Sequence, residues 1–461
     1  MAIQTFNPAT GKVVKEFSEI SDQELEQKLA IAESAFQAWR KTSFKERADL
    51  MMKLGMYLVE NQGKLGALQT LEMGKTISSS EGSAAKCGLV CEYYAENAEK
   101  MLSDEPVVTD DSEAYVSFDP LGVVLAVMPW NFPLWQVYRF AAPALMAGNV
   151  ALLKHASNVP QCALAIEESF KAVGFPDGVF QTLLVSSQRT EKIIRDKRVK
   201  AVTLTGSEKA GASVASIAAS EIKKAVLELG GSDPFVVFAD ADLENTVKQA
   251  VSARLQNNTG QSCISAKRFI VAKSIAERFT KGVVSEISKL KIGDPSDRSV
   301  DVGPLATEQI LNDIEKQVKD SISIGAKLEI GGKRFGDAGY FYEPTVLTNV
   351  KKGMPVYDQE TFGPVLAVII FDDSTEDRGF SEAMSLANDT EFGLGASVWT
   401  KDIALAKKAT REIEAGSVFV NTPVKSDPRL PFGGIKRSGY GRELSSYGIR
   451  EFVNIKSIRI K

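Results

Sequence analysis

Histidine is almost missing from this chain: in 461 residues only His155 carries an imidazole. Multi-histidine zinc sites are thereby excluded, and a Ser-His-Asp or Cys-His site would have to use that one residue. Acid-base chemistry falls to carboxylates. Cysteine is scarce as well. Four of them (Cys87, Cys91, Cys162 and Cys263) cannot build a disulfide framework in a chain this long. The opening MAIQTFNPATGK has neither the basic stretch nor the apolar stretch of a secretory leader, so a reducing cytoplasm is the expected setting. Long apolar runs are lacking too: GVVLAVM meets Pro129 after too few residues to cross a bilayer. With a net charge of -4 and its Lys and Arg scattered among acids, the chain has no basic stripe for nucleic acid. Small molecules remain as partners.

What is present is ordinary globular material, 44% hydrophobic and 25% charged, enough for two or three domains. The N-terminal quarter is helical in pattern, from DQELEQKLAIAESAFQAWRK through KERADLMMKLGMYLVENQGKLGALQTLEMGK. EPVVTDDSEAYVSFDP then gives a hairpin pattern around Asp110 and Asp111, a candidate oligomerisation arm. From Gly122, short β-branched runs (VVLAVM, VALLK, VFQTLLV, AVTLTGS) alternate with helical stretches, implying a parallel sheet with crossover helices. A second alternation (PFVVF, RFIVA, VLAVIIF, SVFVN) follows Gly230-Gly231, which puts a boundary near Gly231. The tail SSYGIREFVNIKSIRIK ends in an alternating strand pattern suited to pairing with the arm.

The dinucleotide fingerprint G-x-G-x-x-G is not found, and AVTLTGSEKAG is no Walker A motif, because Ala212 and Ser213 stand where Lys and Ser/Thr are required. What remains there is a strand ending in Thr205-Gly206-Ser207 and opening a helix, which fits either a phosphate at a helix N-terminus or an ordinary cap by Ser207. In NNTGQSCISAKR, Cys263 lies among small polar residues, as in a loop shaped for access, and not among the apolar neighbours of a packing cysteine. Its thiol needs activation, since a free thiol is only a few per cent thiolate at neutral pH. Glu228, ending a strand in ELGG, is a carboxylate able to act on a water or on a thiol proton. In PWNFP, Asn131 offers an amide donor for an oxyanion, against the alternative of a proline-bracketed turn. Cys87, Cys91 and Cys162 sit in helical patterns among Ala, Leu and Val and are read as packing residues.

PWNFP, LTGS, ELGG, GQSC, ETFGPV and PFGGIKRSGYGREL occur in the order and approximate spacing of the NAD(P)-dependent aldehyde dehydrogenase superfamily, which the chain resembles from FNPATGK to IREFV. The resemblance implies an α/β fold: a Rossmann-type cofactor domain (1–104 and 120–230), an α/β catalytic domain (231–444), and a β-hairpin oligomerisation arm (105–119 with 445–461) of a homodimer or homotetramer. It implies that Cys263 is the nucleophile, that the Asn131 side chain and the Cys263 N–H hold the oxyanion, and that Glu228 activates the hydrolytic water. No metal is needed. Cofactor positions are matched by Trp130, Lys154, Gly206, Ser207 and Leu229, and those of the nicotinamide ribose and ring by Glu360 and Phe362.

Many relatives read Lys-Pro-Ser-Glu where this chain has Lys154-His155-Ala156-Ser157. With Ser157 in place of that glutamate, no carboxylate repels a 2'-phosphate, which favours NADP while leaving NAD possible. His155 is expected at the surface or beside the adenosine. Phe140 stands where many relatives have a lysine, so Glu443 is left outside the catalytic set, and Ser265 excludes the redox disulfide of some relatives. Arg139 matches an arginine by which succinate-semialdehyde dehydrogenases bind the distal carboxylate; a second such arginine is Asn257 here, with Ser426 or Arg429 as replacements. Succinate semialdehyde is therefore the expected substrate. The alternatives are another small aliphatic aldehyde or semialdehyde, an acylating dehydrogenase that passes its thioester to coenzyme A, and a non-catalytic binding protein on the same fold.

Overall fold

Local sequence starts the first helices. Ser21 and Ser43 each precede a glutamate by three residues, and both pairs form capping boxes: the serine hydroxyl accepts from the glutamate N–H, and the glutamate accepts from the serine N–H at 2.7 Å. Each box contributes about 1 kcal/mol to the helix it opens, here Asp22–Trp39 and Phe44–Glu60. The periodic stretch beyond Phe44 is not one helix. Asn61 interrupts it, and Gln62–Met73 begins anew, followed by the long helix Ile77–Met101. The computed structural model describes all of the chain except residues 1, 2 and 257. Asn257 therefore lies outside the described residues.

A six-stranded sheet follows the order Gly439–Tyr440, Lys224–Glu228, Val199–Thr205, Val123–Met128, Val150–His155, Phe180–Thr182. All are parallel except Gly439–Tyr440, which returns from the C-terminal part of the chain to pair antiparallel with Glu228 and Leu227. The chain enters at Val123–Met128, winds outward through Val150–His155 and Phe180–Thr182, then crosses over to Val199–Thr205. The winding thus reverses between Val123–Met128 and Val199–Thr205, and the carboxyl ends of those two strands open a crevice.

A second sheet runs Lys327–Ile330, Thr345–Thr348, Val365–Phe371, Arg268–Ala272, Pro234–Val237, Gly395–Trp399, Ser417–Val420, and only Lys327–Ile330 is antiparallel. Each sheet has its own apolar core, one including Leu54, Tyr94 and Leu152, the other Phe235, Phe269 and Trp399. In the third sheet, Val453–Ile460 lies antiparallel to Glu113–Pro120 from Val453↔Pro120 to Ile460↔Glu113, with Glu105–Pro106 on the other edge. Among the described residues no helix is long and apolar enough to cross a membrane.

His155 corrects the expectation of a surface position: it is buried. Its Nδ1 accepts from the Ala156 N–H at 2.9 Å, which leaves the proton on Nε2 for the Pro133 carbonyl at 2.8 Å. Burial pushes its pKa down to about 4, so the ring is neutral and ties the end of its strand to the PWNFP turn. The α-helix Leu243–Val251 likewise does not continue regularly; it passes into a π-helical turn, Ser252–Gln256, that leads toward the cysteine loop. Such turns often mark functional sites.

Candidate active site

The loop carrying Cys263 leaves this π turn and ends at the Arg268–Ala272 strand. Thr259 and Gly260 turn it through positive φ, and Gly260 is obligatory there, since a Cβ would lie 2.1 Å from the Gly363 carbonyl oxygen. Lys267, wholly buried, places its ammonium beneath the loop and donates to the carbonyls of Ser262 (2.9 Å), Cys263 (2.7 Å) and Ser265 (3.1 Å). Asn258 donates to the Asn131 carbonyl at 2.8 Å, and the Gln261 carboxamide oxygen accepts from the Ala306 N–H at 2.8 Å. Asn131 joins the same network: its Nδ2 donates to the Gln261 carbonyl at 3.1 Å, while Gln136 donates to its Oδ1 at 2.9 Å and fixes which end of the amide faces the loop. Cys263 alone among the cysteines is not fully buried. Burial pushes its thiol up to about 12 against the pull of Arg139 and Lys267, so it rests protonated. Cys87, Cys91 and Cys162 are buried, with thiols raised by desolvation.

Glu228 closes its strand under opposite conditions. It is buried, and among the described residues neither carboxylate oxygen has a hydrogen-bond partner. Gly433, at φ 148°, leaves the room it occupies: a Cβ there would stand 2.6 Å from Glu228 Oε1. Burial, and next the charge of Glu443, hold the Glu228 carboxyl well above the usual range, while Arg139 and Arg442 draw it down. Glu443 itself forms a buried ion pair with Arg139 Nε. The Arg139 guanidinium also lies 4.5 Å from the Phe432 ring centre and reaches Thr205 Oγ1 at 3.4 Å. The glutamate set aside in the sequence analysis therefore belongs to the same buried group as Glu228.

The crevice between the sheets gathers the positions expected to face a dinucleotide. Trp130 follows Val123–Met128, and Gly206-Ser207 follow Val199–Thr205, at the reversal point. Ser207 caps the helix Glu208–Ser220 by accepting from the Ala210 N–H at 3.4 Å. The neighbouring helix, Pro160–Ala172, has its N-terminus filled from within: Glu72 accepts from the N–H groups of Gln161 (2.9 Å) and Cys162 (2.8 Å). This leaves the Glu208–Ser220 N-terminus as the end suited to a phosphate. Leu229 packs on Gly211, where a Cβ would come within 2.6 Å of it. Lys154 is buried at the carboxyl end of its strand, and Ser157 is half-buried just beyond. Across the crevice, Phe362 meets Trp130 edge to face at 5.8 Å, and Glu360 accepts from the Gly231 N–H at 3.0 Å with Lys267 3.5 Å away.

Cys263 opens on the other side into a cavity of about 380 Å³. Phe132, Trp135 and Phe432 form its apolar walls; Lys75, Lys86, Arg139 and Lys425 also line it, and among the described residues no carboxylate does. Ser426 lies at its edge, whereas Arg429, the other suggested replacement for a second arginine, is exposed and paired with Asp427 at 2.6 Å. The chain matches the sequence profile of the aldehyde dehydrogenase family over residues 1–458.

The chain belongs to that family.

This aldehyde dehydrogenase is an NAD(P)-dependent oxidoreductase of aldehydes. It is 54% identical over 460 residues to a Synechocystis sp. protein named "Probable succinate-semialdehyde dehydrogenase" of the NADP(+) type, with 100% of both chains covered. It is 53% identical over 463 residues to succinate-semialdehyde dehydrogenase NADP(+) 1 of Mycobacterium tuberculosis, again with 100% of both covered. Among solved structures, the Streptococcus pyogenes succinic semialdehyde dehydrogenase in complex with NADP+ matches at a TM-score of 0.96, with 38% identity and full coverage of both chains.

Sequence reasoning did not find Lys267, Asn258, Gln136, Lys75 or Lys86. A lysine four residues past Cys263, at the mouth of the apolar strand RFIVA, was the one legible sign, because a cation there must turn back into the loop to find partners. Lys86 gave no such sign, since its helix reads as an ordinary amphipathic one, and Lys75 stands in the short connection before that helix.

Proposed function

We propose that this aldehyde dehydrogenase oxidises succinate semialdehyde to succinate with NADP. The observation that carries the reading is the cavity beside Cys263: apolar walls suit a short aliphatic chain, and four cations without a carboxylate suit an aldehyde that ends in an anion. The printed names of the relatives support the same substrate and cofactor. In this reading Cys263 adds to the aldehyde carbon as its thiol proton passes to water in the cavity, and the Asn131 amide with the Cys263 N–H receives the oxyanion. The nicotinamide, when bound, accepts a hydride from that carbon and leaves a thioester on Cys263. Glu228, once ionised, takes a proton from the water that attacks the thioester, and the thiol is released with the carboxylate product. Arg139 and Ser426 face the substrate.

The cofactor residues of the reading are Trp130, Lys154, Ser157, Gly206, Ser207, Leu229, Glu360 and Phe362. The open helix end after Gly206 suits the pyrophosphate, and Lys154 with Ser157 suits a 2'-phosphate, although the same crevice accepts NAD. We take 1–104 with 120–230 as the cofactor domain, 231–444 as the catalytic domain, and 105–119 with 445–461 as the arm that joins a homodimer or homotetramer in the cytoplasm. Val107, Val108, Ile455 and Ile460 are exposed on that arm, which supports a partner there. A panel of aldehydes assayed with each cofactor, following absorbance of the reduced nicotinamide, tests the function. Succinate semialdehyde with NADP gives the highest kcat/KM; a higher value for uncharged butanal contradicts the substrate, and a higher value with NAD contradicts the cofactor.

A further inference from the structure

A carboxylate pocket built on Arg139 is incomplete, because position 257 is asparagine and Arg139 shares its charge with Glu443. The Glu443 carboxylate takes up part of the charge that Arg139 would offer a ligand. Lys86 differs. It rises from the Ile77–Met101 helix with its Nζ 4.1 Å from the Trp135 ring centre and donates to Ser426 Oγ at 2.7 Å. Lys86, Trp135 and Ser426 all line the cavity that holds Cys263. Asp427, an acid near enough to act on the ammonium, is already held by Arg429, which donates to it from its backbone N–H at 3.0 Å and from its guanidinium at 2.9 and 2.6 Å. The Lys86 charge is thus partly desolvated, oriented by a ring face and a hydroxyl, and aimed into a cavity whose lining, among the described residues, offers it no anion.

We propose that Lys86, assisted by the Ser426 hydroxyl, grips the far carboxylate of the substrate and supplies the second cation that position 257 lacks, an assignment that rests on the succinate semialdehyde reading above. A carboxylate arriving between Nζ and Oγ gains a charge-assisted hydrogen bond from each, and it replaces solvation that the ammonium lost on burial. The uncharged end of an alkyl aldehyde gains neither, so the contact discriminates between the two by charge. Burial, with Arg139 and Lys425, pushes the Lys86 pKa down to about 8, opposed by Cys87 and Asp427. The grip is therefore present below that pH and is lost above it.

Lys86→Met keeps the length and the contact with Trp135 while removing the charge. Specificity constants for succinate semialdehyde and butanal are compared in wild type, Lys86→Met and Lys86→Arg. Lys86→Met is expected to lower kcat/KM for succinate semialdehyde at least tenfold, mainly through KM, and that for butanal less than twofold, with Lys86→Arg restoring most of the loss. In wild type, the ratio of the two constants falls as pH rises through about 8; Lys86→Met removes that step and leaves only the loss near 7 from Lys75, which lines the same cavity and is pushed down to about 7 by burial. If wild type prefers succinate semialdehyde and Lys86→Met keeps that preference, the role of Lys86 is overturned and the substrate reading stands. If both aldehydes lose equally, Lys86 supports the helix and does not contact the carboxylate. If wild type has no preference for succinate semialdehyde, the substrate reading itself falls, and the inference with it.

Discussion

Around Cys263 the backbone is tied from below and from the side: Lys267 holds three carbonyls, Asn258 reaches the Asn131 and Gln261 carbonyls, and Gln261 accepts from Ala306. Around Glu228 the reverse holds, with two buried oxygens that have no hydrogen-bond partner among the described residues and a glycine, Gly433, leaving them space. The difference follows from what each group would do in the proposed reaction. A nucleophile has to be aimed before the substrate arrives, and misplacement by about 1 Å can cost roughly 100-fold in rate. A general base must change charge within the cycle, and donors fixed on its carboxylate would stabilise one state alone. Desolvation, and next the charge of Glu443, hold the Glu228 carboxyl well above the usual range and so favour its protonated form.

Breaking the tied side gives the largest expected effect. Cys263→Ala lowers aldehyde oxidation by at least ~10⁴-fold, since the other thiols are buried and raised, while NADP binding, followed by quenching of tryptophan fluorescence, is unchanged. Lys267→Met is milder and sharper. It deprives the Ser262, Cys263 and Ser265 carbonyls of their shared donor without touching the thiol, so kcat falls on the order of 100-fold, and the rate of Cys263 alkylation by iodoacetamide changes with it. An unaltered kcat in that variant means that the loop needs no such tether.

The smallest effect serves as the control that neither side is disturbed from the cofactor end. Ser157→Glu introduces a carboxylate where the 2'-phosphate is proposed to bind, and it shifts the NADP-to-NAD ratio of kcat/KM toward NAD by about tenfold, ~1.4 kcal/mol. The rate at saturating cofactor stays the same. Michaelis constants for both cofactors decide it, and an unchanged ratio removes Ser157 from the cofactor site.

Both sides were partly legible in the sequence: ELGG marked Glu228 as a carboxylate ending a strand, but the groups that set its charge, Glu443 and Arg139, were not placed beside it. Small polar neighbours exposed Cys263 as a loop residue, and the β-branched runs gave the parallel strands from Val123 to Glu228. Lys327–Ile330, Thr345–Thr348 and Gly395–Trp399 escaped notice because KLEI, TVLT and GASVW are short and mixed, and only their neighbours in the sheet make them strands. Glu443 and Arg139 lie more than half the chain apart, so no spacing rule joins them. His155 reads as polar in isolation; its burial comes from one carbonyl, of Pro133, that needed a donor.

In the proposed reaction two groups act in sequence, Cys263 to form a thioester and Glu228 to release it. The most direct test is rapid mixing of Glu228→Gln with succinate semialdehyde and NADP, followed by intact mass measurement. The predicted result is a burst of reduced cofactor, one per active site, with the protein heavier by one succinyl group that is absent from the double variant with Cys263→Ala. Steady-state turnover in wild type rises with pH as the raised Glu228 carboxyl ionises, and Glu228→Gln lacks that rise. A Glu228→Gln protein that turns over like wild type, or that shows neither burst nor adduct while still binding NADP, would contradict the division of labour between the two groups.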